Sequence, residues 1–227
     1  MSSKPTFHIS CCGRSGSNYV YEALKQMGFS CLHEINETWP FPGDLGIKYI
    51  ARNPEMFAAY DGLIGWKWAV LAPQLAAGMD LQFHLVRHPL AAIESATTHR
   101  DSLFTNIEKY IGRPDYIDRI TDEQMQLLAR AVNYWISYNQ QIGQGKILLK
   151  VEEFKPNAPA MEAFLNKMAV PAVASDLARH IPKNVNQRKT SARRVPITLD
   201  VLSDLLPGPV LQQMQDLAES YGYDGVR

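Results

Sequence analysis

TFHISCCGRSGSNYVYEALKQMG, residues 6–28, is the stretch that decides the fold. Thr6 to Cys12 is a short apolar-biased run ending in a glycine-containing turn, and from Ser17 the pattern changes to helical period. Val20, Ala23, Leu24 and Met27 then share one helix face, and Gly28 marks a helix stop. The unit is strand, tight loop, helix. Gly13-Arg14-Ser15-Gly16-Ser17-Asn18 lies where backbone N–H groups left unsatisfied at the helix start meet the positive end of its dipole. Such a loop can hold a phosphate or sulfate: the glycines admit the anion, Ser15, Ser17 and Asn18 add donors, and Arg14 can grip two oxygens. The same residues also suit an ordinary strand-to-helix turn with a serine cap.

Other apolar runs at Leu63 to Trp68, Leu81 to Val86 and Lys146 to Val151 are short enough for buried strands. Met125, Leu128, Ala129, Val132, Trp135 and Ile136 draw a stripe along a helix expected from about Thr121 to Gln141, and a last helix is expected from about Pro209 to Tyr221. Strands alternating with helices predict an α/β three-layer sandwich, a mostly parallel sheet with helices on both faces. Ligands in such sheets bind beyond the carboxyl ends of the strands.

At 227 residues the chain suits one large domain, expected here to span 1–227. Lys and Arg number 23, as do Asp and Glu, so no global field draws the chain to nucleic acid or membrane and any anion site must be local. The N-terminal MSSKPTFHIS lacks the apolar run of a secretory signal. No stretch approaches the roughly 18 uncharged apolar residues of a membrane span. A cytoplasmic protein without an integral membrane segment is the expectation. Cys11, Cys12 and Cys31 show no zinc or redox spacing and read as reduced core thiols, and no metal site is expected.

The loop is not a Walker A motif, because Gly16 is followed by Ser17-Asn18 rather than by Lys and Ser or Thr, and it is not GxGxxG. Leu81 to Val86 runs into Arg87-His88-Pro89, where a magnesium-dependent nucleotide hydrolase usually has an Asp. A cation at that point can take an anion directly, with Ser95 eight positions on in a helix that Pro89 would open; a surface salt bridge is the other use of such an Arg.

Arg14-Ser15-Gly16-Ser17 after a strand, together with Arg87-x-Pro89 and Ser95, resemble the two donor-binding motifs of sulfotransferases that use 3′-phosphoadenosine 5′-phosphosulfate. The resemblance implies that Gly13, Arg14, Ser15, Gly16, Ser17 and Asn18 hold the 5′-phosphosulfate and that Arg87 and Ser95 hold the 3′-phosphate. His33-Glu34 looks like the segment whose glutamate is the proposed base in Golgi-type and bacterial members, and Lys67 sits where a strand lysine of those families reaches the transferring group. Tyr134-Trp135 with Asn139, Lys150-Val151-Glu152-Glu153-Phe154, and Asn184-Val185-Asn186-Gln187-Arg188 are similar to further elements of the family. His88 departs from it, standing where an Asp is commoner.

These residues fit the chemistry implied. A sulfuryl group carries less charge than a γ-phosphoryl group, so backbone donors, Arg14 and Lys67 could stabilise its in-line transfer without magnesium. The acceptor hydroxyl, or as second choice an amine, must lose a proton; Glu34 is the candidate base once desolvated, and His33 is its rival. From Arg179 to Arg194 the chain has six Lys or Arg and no acid. Residues 179–195 could form a flap placing Arg188 or Lys189 on the donor, or a solvated basic loop; no aromatics interleave to stack bases, so nucleic acid is not expected. Trp39, Phe41 and Trp66 could shape an acceptor pocket for a small molecule, saccharide or lipid, with core packing the other use of Trp66, and Glu37 to Asp61 could be an acceptor loop. Two other readings stay open: a small-molecule kinase, for which no magnesium ligand is apparent, and a nucleotide-binding module without turnover.

Overall fold

A computed structural model describes residues 5–34, 44–98, 101–143, 146–170 and 197–226. The elements run β1 (Phe7–Cys11), α1 (Ser17–Gln26), β2 (Cys31–His33), α2 (Asp44–Arg52), β3 (Gly62–Ile64), α3 (Trp66–Leu71), α4 (Pro73–Ala77), β4 (Leu81–Val86) and α5 (Pro89–Thr97). They continue with α6 (Asp101–Ile111), α7 (Asp115–Asp118), α8 (Glu123–Gly143), β5 (Ile147–Lys150), α9 (Pro159–Lys167), α10 (Leu199–Leu205) and α11 (Gly208–Ser220). Turns of 3₁₀ helix fill Pro54–Ala59 and Val151–Glu153. The chain divides into two compact units, Met1–Val86 with Gly145–Gln187, and Arg87–Gln144 with Arg188–Arg227.

The first unit is built on a sheet of order β2-β3-β1-β4-β5 in which every pairing is parallel. Alternation along the strands separates two apolar sets. Phe7, Ile9, Cys11, Cys31, Ile64, Phe83, Leu85 and Leu149 face Val20, Ala23 and Leu24 of α1 and Met161, Phe164 and Leu165 of α9. Leu32 and Leu63 face Ile47 and Ile50 of α2, Phe57, and Trp68 of α3. Helices therefore cover both faces, the α/β three-layer arrangement expected of strands that alternate with helices. On the α1 side Phe164 meets Phe7 edge-on at 5.8 Å and Phe83 at 5.0 Å. Each such ring, fully buried, contributes about 1.5–3 kcal/mol through the area it removes from water.

In the second unit α8 is the central element, with α5, α6, α7 and α11 packed around it. Its buried positions are not a single stripe: Leu128 through Ile136 are all buried, because neighbours cover several sides. Among them Arg130 makes a bidentate pair with Glu108, 2.7 Å from Nε to Oε1 and 3.0 Å from Nη2 to Oε2, and lies 5.3 Å from the Phe104 ring centre. Among the described residues no helix is long and apolar enough to cross a membrane.

Three expectations need correction. Leu63 to Trp68 is not one strand: β3 ends at Ile64, Gly65 turns the chain at φ 128°, and Trp66 opens α3, so Lys67 stands on a helix. Glu37 to Asp61 is not simply a loop, since from Asp44 it forms α2 and a 3₁₀ turn with Ile47, Ile50 and Phe57 buried. β2, only three residues long, supplies a fifth strand and places His33 at its end. The other helices fall close to expectation, α8 at Glu123–Gly143 and the last at Gly208–Ser220.

Candidate functional site

β1 feeds α1 on one face of the sheet, and its neighbour β3 feeds α3, whose Trp68 packs on the other. Adjacent strands that send their connections to opposite faces leave a crevice beyond their carboxyl ends. After the wholly buried β1, Ser15 N–H donates to the Cys12 carbonyl at 3.1 Å and closes a tight turn. Arg14 and Gly16 both take left-handed backbone, φ 76° and 88°. The first turn of α1 contains no acidic residue, and Gly16 offers no side-chain cap. A Cβ at Gly16 would lie 2.5 Å from Cγ2 of Val151, so the residue after β5 forms the floor of the loop and only glycine fits above it. Ser15 is fully buried, and its hydroxyl has no hydrogen-bond partner among the described residues.

The sheet brings the His33-Glu34 pair to the same end. Glu34 N–H donates to the Ile64 carbonyl at 3.3 Å, and Gly65 N–H donates to the Ile9 carbonyl at 3.0 Å, so Glu34, Gly65 and the end of β1 lie side by side. The Glu34 carboxylate reaches over Gly65 and accepts from the backbone N–H of Trp66 and of Lys67. A Cβ at Gly65 would overlap that side chain. Burial pushes the Glu34 carboxyl up to about 7, against the pull of the Trp66 N–H, the Lys67 charge and the Lys67 N–H, with Asp44 adding a smaller push upward. Lys67 itself donates to Asp44 Oδ1 at 2.7 Å and lies 5.4 Å from the Trp66 ring centre.

His33 turns toward the loop. Its Nε2 lies 3.0 Å from Ser17 Oγ, its ring rests 5.4 Å from that of Tyr21, and burial holds its pKa down at about 4. Cys11, Cys12 and Cys31 are free and buried, and burial, reinforced by the Glu34 charge, raises the Cys11 thiol well above its ordinary range. Asp44, the pairing of His33 with Ser17, and the close approaches of Gly65 to Glu34 and of Val151 to Gly16 were not foreseen in the sequence; each acts across elements distant in the chain. A second unforeseen group joins β1 and β4 to the residue just before β5: Lys146 Nζ donates to Ser10 Oγ at 3.0 Å and Ser10 Oγ donates to the Phe83 carbonyl at 2.9 Å. Beside it buried His8 has its pKa lowered to about 3 by desolvation and then by the Lys146 charge.

Arg87 follows directly on β4 and opens the second unit, and Ser95 is partly buried on α5, which Pro89 begins. The His88 ring meets Tyr223 edge-on at 5.5 Å. Tyr134, Trp135 and Asn139 are buried along α8, where Asn139 Nδ2 donates to the Trp135 carbonyl at 2.7 Å. Trp66 is buried, Phe154 is a core residue, and Lys150 pairs with Glu153 at 3.7 Å. Arg188, Lys189, the rest of 179–195, Trp39 and Phe41 lie outside the described residues.

No protein-family model matches the chain. No curated protein matches it in sequence. Among solved structures it is similar to the mouse sulfotransferase SULT7A1 complexed with PAP, at 12% identity and a TM-score of 0.48, over 99% of this chain and 86% of that one.

Proposed function

We propose that this protein transfers a sulfuryl group from 3′-phosphoadenosine 5′-phosphosulfate to a hydroxyl, with an amine as second choice, of a small-molecule, saccharide or lipid acceptor. The observation that carries this reading is one juxtaposition: a partly buried carboxylate with pKa about 7 lies beside the end of β1, from which the uncapped loop of residues 13–18 leads into α1. The loop suits the donor's phosphosulfate because its helix start has no side-chain cap or first-turn acid, the Ser15 hydroxyl is unanswered, and the Arg14 side chain carries positive charge.

The donor supplies an electrophilic sulfur with a phosphate leaving group. Arg14 and the loop N–H groups stabilise charge on the oxygens in transit, and Lys67 holds positive charge near the carboxylate. Glu34, ionised in the upper half of its titration, takes the proton from the attacking hydroxyl. The neutral His33 ring is a poorer candidate base, since a pKa near 4 gives it little affinity for that proton. Selection of the 3′-phosphate by Arg87 and Ser95, and any part played by Arg188 or Lys189, rest on the family resemblance.

The test is thermal stability with 3′,5′-adenosine bisphosphate, with ADP plus Mg²⁺, and with neither. Ligand at a hundred times its dissociation constant adds roughly 2.7 kcal/mol, a rise of several degrees in a protein of this size. A rise with the bisphosphate alone is expected; a rise with ADP and Mg²⁺ alone would put a kinase in its place. A second prediction concerns Arg14, which at φ 76° occupies backbone that glycine adopts more readily. In Arg14→Gly the melting temperature without ligand should hold or rise, while calorimetric titration should show bisphosphate affinity at least about tenfold weaker, the loss of a charge-assisted contact. Unchanged affinity would remove Arg14 from the donor site.

A further inference from the structure

His33 ends β2 on the opposite side of β3 from β1, yet its ring comes back to the loop after β1 and meets Ser17, the first residue of α1. His33 Nε2 lies 3.0 Å from the Ser17 hydroxyl oxygen. A hydroxyl has one proton to give and two lone pairs to fill. A neutral His33 carrying its proton on Nε2 fills one of those lone pairs. The Ser17 proton is then not committed to His33 and is available to an oxygen of an anion seated at the start of α1. With the proton on Nδ1 instead, Nε2 would accept from Ser17 and withdraw that donor.

We propose that His33 is a positioning residue, an Nε2–H donor that fills a lone pair of Ser17 Oγ and so aims the Ser17 hydroxyl proton at the bound donor's phosphosulfate. This rests on the donor reading above and goes beyond it by giving the histidine a role other than proton transfer. The Tyr21 ring beside His33 limits rotation of the imidazole, so the contact is held before ligand arrives.

The full chain can be tested by ¹⁵N NMR of its histidine rings, with His33→Gln used to assign the signal, and by calorimetric titration of variants with 3′,5′-adenosine bisphosphate and separately with inorganic sulfate. The His33 ring should be protonated at Nε2 only. His33→Gln keeps an N–H near the Nε2 position and should bind within about twofold of the parent, whereas His33→Met, similar in bulk but without a donor, should bind about fivefold more weakly. Ser17→Ala should erase that difference, because the two residues act as one unit. Protonation at Nδ1, a glutamine variant as weak as the methionine one, or additive losses with Ser17→Ala would each overturn the proposal. Sulfate bound with this dependence on His33 and no binding of the bisphosphate would uphold the pairing and overturn the nucleotide reading. Absence of binding by either probe from the parent would overturn both.

Discussion

Glu34→Gln is expected to lower sulfuryl transfer by about 10²–10⁴-fold while leaving bisphosphate affinity close to that of the parent. The magnitude is that of losing a positioned general base, and binding survives because the loop of residues 13–18 makes no use of the carboxylate's charge. The parent's rate should climb as pH rises toward about 7, where Glu34 ionises, and level off above it. A stability signature accompanies this. Burial raises the folded-state pKa from 4.5 to about 7, so between those values the folded chain holds a proton that the unfolded chain has released. The contribution is fully present below about pH 4.5 and is lost as pH rises through 7. At pH 8 the charge is therefore a cost of up to about 3 kcal/mol that the neutral glutamine does not carry, so Glu34→Gln should melt above the parent there and match it near pH 4. A variant that is inactive and also less stable at pH 8 would indicate damage to the fold; one that keeps full activity would return the role of base to another group.

Much of this was legible in residues 6–28, where an apolar run, paired glycines and a 3.6-residue period follow one another and local pattern coincides with local structure. β4 was legible for the same reason, its six residues including apolar Leu81, Phe83, Leu85 and Val86. β2 was not, since Cys31, Leu32 and His33 are too few for a period and form a strand only through their parallel pairing with Gly62, Leu63 and Ile64. Trp66-Lys67-Trp68 misled because alternation of large and charged residues resembles a strand. The φ of 128° at Gly65, which ends β3 and starts α3, leaves no trace in hydropathy. The candidate base illustrates the limit more sharply. Glu34 could be named from its neighbours in sequence, but its burial depends on Gly65 leaving room, and its pKa on N–H groups of Trp66 and Lys67, all more than thirty positions away. The loop was equally incomplete in sequence, since Val151, which requires glycine at position 16, arrives from β5 at the far edge of the sheet. Sequence pattern identifies which groups are chemically able; register decides which of them meet.

Gly65→Ala should therefore be about as damaging to transfer as the loss of Glu34 itself, a fall of at least about 10²-fold, and should also destabilise the protein by about 2–4 kcal/mol. Two independent costs combine. At φ 128° and ψ 173° Gly65 occupies a region essentially closed to residues with a Cβ, which costs about 1–3 kcal/mol. The added methyl would also overlap the Glu34 side chain, and the backbone has little room to retreat because Gly65 N–H is tied to the Ile9 carbonyl at 3.0 Å and Glu34 N–H to the Ile64 carbonyl at 3.3 Å. The carboxylate must then swing out of its contacts with the Trp66 and Lys67 N–H groups, leave its partly buried setting and return toward an ordinary carboxylate pKa, where it is a weak base. The two costs separate in a double-mutant cycle. In a Glu34→Ala background the overlap is gone, so Gly65→Ala should then show the backbone cost alone, and chemical denaturation of the four proteins should give a coupling of about 1 kcal/mol or more. Strict additivity would mean that the methyl is accommodated without moving Glu34, and the close approach of Gly65 to the carboxylate would no longer account for its place in the site.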